Sequence, residues 1–186
     1  LINFLIKNGY FVIPVPNLFV SKRQENKFLN LYFQKIKISG VILSGGNDIG
    51  EFKLRDNLEK KILTKCKKYK KPVLGICRGM QMMAVHENTG LKKIKNHVKT
   101  RNNLFDIKRN YIRNVNSYHN WALKKCPKNY KILYQSEDQS IEAIVHKKLK
   151  WEGWMWHPER EARFLEQDIE RLKRLFTRGI TQKAAF

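Results

Sequence analysis

Apolar residues recur along the chain with two periods, and the alternation between them outlines the fold. Leu1, Phe4 and Leu5, with Ile2 and Ile6, read as the end of an amphipathic helix stopped by Asn8-Gly9. Tyr10 to Val15 then reads as a buried strand closed by Pro14 and Pro16. Phe28, Leu29, Tyr32, Phe33 and Ile36 fall at helical spacing, and Gly40 to Leu43 is a short apolar run leading into Gly45-Gly46. Leu54, Leu58, Ile62 and Cys66 share one helical face with lysines opposite, so Cys66 is expected in the core. Pro72 to Ile76 is the next strand. Met80, Met83 and Ala84 then support a helix ending near Asn88 to Gly90, with the methionines as packing residues.

Strands alternating with helices imply parallel pairing, right-handed crossovers and helices on both faces of a sheet. The turns after Leu43 and Ile76 should therefore share the carboxyl edge, where open α/β sheets place their sites. Beyond Gly90 the texture changes. Leu104 to Ile107, Tyr111 to Val115, Tyr130 to Tyr134 and Ile141 to Val145 read as short strands without long helices between them, which predicts an antiparallel or mixed extension. Gly153 to Trp156 is a last apolar strand, and Phe164, Ile169, Leu172, Leu175 and Phe176 mark a terminal amphipathic helix.

Length and composition narrow this picture. A chain of 186 residues with 42% hydrophobic positions supports a single domain, 1–186, and neither a repeat nor a linker divides it. No apolar run is long enough to span a bilayer, and Leu1 to Lys7 is too short and weakly patterned for a signal peptide. Cys66, Cys77 and Cys126 form neither a CxxC pair nor a disulfide framework, which fits a reducing cytoplasm. The net charge of +22 is carried mostly by dispersed lysines. Lysine suits a solvated face, so steering of an anionic substrate is favoured over a nucleic-acid partner, and no membrane partner is expected.

Candidate chemistry concentrates in Pro72 to Gln81. Gly75-Ile76-Cys77-Arg78-Gly79 has the form of a nucleophile elbow, a tight strand-to-helix turn that presents one side chain. A helix N-terminus favours thiolate formation, so Cys77 is expected to ionise readily. Of the five histidines, His157 ends an apolar strand at the same expected edge, and Glu159, two residues on across Pro158, can turn back to orient it. The alternative is that His157 and Glu159 only cap the terminal helix. Developing negative charge on a carbonyl needs amide donors, for which the Arg78 amide and the Gly45-Gly46 turn are candidates.

Ile42-Leu43-Ser44-Gly45-Gly46-Asn47-Asp48, Gly75 to Gln81, Asn116-Ser117-Tyr118-His119 and Trp156-His157-Pro158-Glu159 together resemble the class I glutamine amidotransferase-like superfamily. Within it they are similar to the γ-glutamyl hydrolases of the peptidase C26 type. The resemblance implies a flavodoxin-like α/β fold, with a mixed, mostly parallel sheet and a small antiparallel extension. It implies hydrolysis of a γ-glutamyl amide through a thioester at Cys77, with His157 as acid and base and Glu159 orienting it. It further implies oxyanion amides at Gly46 and Arg78, and contacts to the small-molecule γ-glutamyl substrate from Gln81, with Asn47, Ser117, Tyr118 and His119 as further candidates. For His119 a structural hydrogen bond is the competing reading, and for His86, His97 and His146 it is preferred. Neither a cofactor nor a metal is required for this acyl transfer.

The pattern departs from the family at three places. Met155 and Trp121 stand where related sequences carry glutamine, and the family's first strand, commonly Ile-Gly-Ile-Thr, has no counterpart before Leu1, whereas Arg178 to Gln182 resembles it. The compact length and basic charge are also similar to small hydrolases that act on a γ-glutamyl nucleotide phosphoramidate in capsule-sugar modification. Two other classes remain open on sequence grounds. One is a glutaminase subunit that supplies ammonia to a separate synthase, and the other is a noncatalytic basic binding module.

Overall fold

A computed structural model describes residues 1–17, 19, 21–36 and 38–177. A sheet of seven strands runs in the order β1 (Val41–Leu43), β2 (Val73–Ile76), β9 (Trp151–Trp154), β8 (Ile141–His146), β7 (Tyr130–Gln135), β4 (Val98–Phe105) and β5 (Tyr111–Tyr118). A two-stranded ribbon pairs β3 (Leu91–Lys93) with β6 (Trp121–Leu123). Helices α1 (Ile2–Lys7), α2 (Lys22–Asn30), α3 (Lys53–Lys68), α4 (Arg78–His86) and α5 (Glu166–Phe176) complete the α/β architecture.

Side-chain alternation along the central strands divides the core in two. Val73 and Trp151 join Leu58, Ile62, Leu63, Cys66, Met80, Met82 and Met83 from α3 and α4 in one cluster. Leu74, Ile76 and Trp154 join Phe4 and Leu5 of α1 and Leu172, Leu175 and Phe176 of α5 in the other. Helices thus cover both faces, as the 3.6-residue pattern requires. The predicted core roles of Cys66 and the three methionines hold, since all four are fully buried.

Two expectations need correction. The sheet is mixed, but its parallel part is confined to β1–β2 and β2–β9, whereas β9–β8, β8–β7, β7–β4 and β4–β5 are all antiparallel. The connections after Gly90 are mostly turns too short for the crossover that parallel neighbours need, so the antiparallel extension outgrows the parallel block. Tyr10 to Val15, moreover, forms no strand. Pro14 offers no N–H for a ladder, and Phe11 stands 92% exposed, while Tyr10, Val12 and Val15 lie against the two apolar clusters. The helix read over Phe28 to Ile36 divides into α2, capped by the Ser21 hydroxyl accepting from the Gln24 amide at 3.1 Å, and a π-helical turn over Leu31–Ile36. The Arg178 to Gln182 resemblance lies outside the described residues.

The parallel block positions everything that follows. Leu43 lies level with Gly75, and Ile76 with Trp154, so the turns leaving β1, β2 and β9 emerge side by side at one edge.

Candidate active site

Cys77 is the first residue past β2, and its amide donates to the Trp154 carbonyl at 2.7 Å, fixing it beside the end of β9. Its backbone has φ 51° and ψ −108°, a left-handed conformation that costs a non-glycine residue about 1–3 kcal/mol. The surroundings hold the turn there. Gly79 lies so close to the Leu43 carbonyl that a β-carbon would collide with it, so α4 can start only if that residue is glycine.

His157 leaves β9 and is buried, with both its backbone groups held by one side chain. The Asn116 carbonyl oxygen accepts from the His157 amide at 2.9 Å, and the Asn116 amide donates to the His157 carbonyl at 2.8 Å. Its Nδ1 lies 2.9 Å from Glu159 Oε1. A β-carbon on Gly45 would lie 2.6 Å from His157 Cε1, so the imidazole rests directly on the glycine turn after β1. Burial alone would raise the Glu159 carboxyl, but the hydrogen bond and charge of His157 outweigh it and hold the group below its ordinary value. An ionised Glu159 accepts a hydrogen bond from Nδ1–H, which leaves Nε2 facing away from the carboxylate.

Burial pushes the Cys77 thiol up to about 11, opposed by the Arg78 amide and the Arg160 guanidinium and reinforced by the negative fields of Glu142 and Glu159. This corrects the expectation of a readily ionised thiol, because a helix end cannot offset removal from water at a side chain this buried.

The glycine turn is held from behind by a cluster that sequence reasoning missed. Arg55 Nη2 donates to the carbonyls of Ser44 and Gly45 at 3.0 and 3.1 Å, and Asp56 Oδ2 accepts from the Gly50 amide at 2.8 Å. Gly46 adopts φ +145°, and a β-carbon there would strike Arg55. The buried Arg78 guanidinium pairs with both Asp56 and Glu59, and Glu59 also accepts from Arg55 Nε at 2.9 Å. One turn of α3 therefore ties Arg78, the residue after Cys77, to the glycine turn after β1. The spacing Arg55-Asp56-x-x-Glu59 was the available signal, and the surrounding lysines hid it.

The remaining predicted residues divide into two groups. Gln81 is buried at 3% exposure, and its amide donates to the Trp121 carbonyl at 3.0 Å, while Trp121 Nε1 donates to Asp48 Oδ2 at 2.8 Å. Asn47 is exposed on the glycine turn. Tyr118, 37% exposed, meets the His157 ring edge to face at 5.8 Å and carries the Arg160 guanidinium 4.5 Å above its own ring. Arg160 was not anticipated, and it brings a positive charge near Cys77. Ser117 and His119 face inward instead: the Ser117 hydroxyl donates to the His97 carbonyl at 2.8 Å, and His119 Nδ1 lies 3.0 Å from the Trp121 carbonyl. Met155, at the second departure from the family pattern, is a core residue.

Comparison with known proteins gives this geometry its context. The sequence profile of the glutamine amidotransferase class-I family matches residues 1–176. The chain belongs to that family. Among curated relatives, it is 38% identical over 139 residues to the γ-glutamyl-CDP-amidate hydrolase of Campylobacter jejuni, covering 72% of this chain and 68% of that one. It is 32% identical over 135 residues to a glutamine-hydrolyzing GMP synthase subunit of Methanocaldococcus jannaschii, covering 66% and 65%. A glutamine amidotransferase structure from Thermotoga maritima superposes with a TM-score of 0.60 at 22% identity, covering 75% of this chain and 64% of that one. One from Methylobacillus flagellatus gives 0.59 at 15% identity, covering 74% and 59%. These structures show the shared amidotransferase fold. Among the described residues, no helix is long and apolar enough to cross a membrane.

Proposed function

We propose that this amidotransferase-family chain hydrolyses γ-glutamyl amide bonds through a thioester on Cys77, with His157 and Glu159 completing a triad. The observation that carries this reading is the meeting of three turns at one sheet edge: the strained Cys77 turn, the His157–Glu159 pair, and the glycine turn on which His157 rests. His157 Nε2 takes the thiol proton as sulfur attacks the γ-carbonyl carbon. The carbonyl oxygen gains the negative charge and is met by the amides of Gly46 and Arg78. As the tetrahedral centre collapses, the C–N bond breaks and the imidazolium gives its proton to the leaving nitrogen. Water then attacks the thioester, with His157 accepting its proton and returning it to the departing sulfur, which releases glutamate.

Gln81, with its amide nitrogen held by the Trp121 carbonyl, keeps its side-chain oxygen for the glutamate head, with the exposed Asn47 and Tyr118 as further contacts. Ser117 and His119 act from beneath through their buried hydrogen bonds. A nucleotide-linked leaving group, as in the substrate named for the Campylobacter relative, is favoured by that 38% identity and by Arg160 over Tyr118, where a phosphate would find a cation on an aromatic platform.

The test is a panel of γ-glutamyl-CDP-amidate, γ-glutamyl-aminobutyrate and glutamine, assayed with wild type and Cys77→Ala. Hydrolysis of the nucleotide substrate should exceed that of the others and fall by at least ~10³-fold in Cys77→Ala, with an acyl-enzyme visible by mass spectrometry. Hydrolysis unchanged by Cys77→Ala would remove the proposal. The similarity to the glutamine-hydrolyzing GMP synthase subunit favours a second reading, ammonia supply to a separate synthase. Turnover of glutamine that appears only when a synthase is added would select it.

A further inference from the structure

Below Gln81 and away from the glycine turn lies a second buried polar cluster, formed by His97 after β3, His119 after β5 and Glu142 on β8. All three are at most 4% exposed, and one donor atom from each lies within 4.8 Å of the other two. Glu142 Oε1 is 3.6 Å from His97 Nδ1 and 3.7 Å from His119 Nε2, beyond hydrogen-bonding distance of both.

The partners of these groups decide what faces the gap. His97 Nε2 lies 3.1 Å from the Asp138 carboxylate and carries the hydrogen, and Nδ1 accepts from the Asn102 amide at 2.7 Å. Asp138 is itself fixed by the Ser136 hydroxyl at 2.6 Å and the Ser140 amide at 2.9 Å. His119 Nδ1 lies 3.0 Å from the Trp121 carbonyl and likewise must donate, which leaves Nε2 bare. Glu142 adds a carboxylate oxygen. Neither His119 Nε2 nor Glu142 Oε1 has a hydrogen-bond partner, while His97 Nδ1 receives the Asn102 amide at 2.7 Å.

Two of these three converging acceptors, His119 Nε2 and Glu142 Oε1, have no donor, and buried acceptors so placed repel one another unless a cation joins them. We propose that His97 Nδ1, His119 Nε2 and Glu142 Oε1 are the protein ligands of a structural zinc ion. Two ligands on one tetrahedral zinc stand about 3.3–3.6 Å apart, close to the 3.6 and 3.7 Å that separate Glu142 Oε1 from the two ring nitrogens, while the nitrogens lie within 4.8 Å of each other. Each histidine already donates its other N–H, one to a carboxylate and one to a backbone carbonyl, which is the usual outer shell of a zinc-bound imidazole. Two imidazoles with one carboxylate suit zinc better than calcium or magnesium, which prefer all-oxygen sites. Zinc would take His97 Nδ1 from the Asn102 amide. It would also brace the Trp121 carbonyl, to which Gln81 is bonded. The site does not depend on the hydrolase reading, and zinc takes no part in the acyl transfer.

Chelator-treated full-length protein titrated with zinc against a fluorescent competitor, with atomic absorption for stoichiometry, tests this without an activity assay. The wild type should bind about one zinc per chain, and Glu142→Gln and His119→Gln should each weaken binding by roughly a hundredfold or more. Asn102→Ala, which removes the competing amide, should tighten it, an effect that only a folded protein can give. His86→Ala, outside the cluster, should leave it unchanged. The proposal is overturned if the wild type takes up no zinc at stoichiometric concentration, or if binding survives Glu142→Gln and His119→Gln unaltered. It is equally overturned if Asn102→Ala fails to tighten binding.

Discussion

Two buried polar clusters sit near Cys77, and they solve the problem of burial in opposite ways. In the first, Arg55 and Arg78 meet Asp56 and Glu59, so every carboxylate faces a guanidinium and the four formal charges cancel. In the second, Glu142 faces two imidazole lone pairs, and its Oε1 has no donor. The paired cluster needs nothing from outside and acts as a rigid brace between two turns. The unpaired one is incomplete by the same electrostatic rule, and its ring nitrogens are held in orientation by Asp138 and the Trp121 carbonyl. Paired charge below the surface marks scaffolding, whereas converging acceptors mark a place for a cation.

Arg78→Met should break the first cluster most severely. It leaves Asp56 and Glu59 buried with no common partner, a change expected to cost about 3–5 kcal/mol of unfolding free energy, read from urea titration. A loss below ~1 kcal/mol would mean that water already compensates those carboxylates. Glu59→Gln removes one charge while keeping the volume, so about 1–3 kcal/mol is expected, together with faster alkylation of Cys77 as the glycine turn and the Cys77 turn loosen and water reaches the thiol.

Glu142→Gln should behave differently. In zinc-free protein it supplies a donor toward His119 Nε2, so stability should change by no more than about 1 kcal/mol, in either direction. A cost as large as that of Arg78→Met would erase the distinction between the clusters. The smallest effect expected is in acid. Because the folded Asp138 carboxyl is held below its unfolded value near 4, the unfolded chain binds that proton more readily. Its contribution is present above about pH 4 and is lost as pH falls through the folded value, so Asp138→Asn should flatten the acid limb of the stability curve.

Much of the site could be read from the chain because strand ends and glycines leave local traces. The Cys77 elbow and the His157-Pro158-Glu159 step each declare their geometry within a few residues. What remained hidden were contacts between side chains far apart in sequence. Asn116 holds both backbone groups of His157 across 41 residues, and Arg78 reaches back 19 and 22 residues to Glu59 and Asp56. Nothing in local periodicity predicts such pairings. The extent of the antiparallel region was underestimated for a related reason: alternation identifies a strand but not its neighbour, and only the short turns after Gly90 restrict the pairing. The thiol was misjudged because a helix end is visible in sequence whereas depth of burial is not.

The left-handed backbone of Cys77 has a consequence for how the protein wears its history. A glycine there would sit at ease, and a chain selected for endurance alone would adopt one. Cysteine at the tip of that turn accepts a locally uncomfortable bend in exchange for a sulfur atom, so backbone ease and the thiol compete at a single residue.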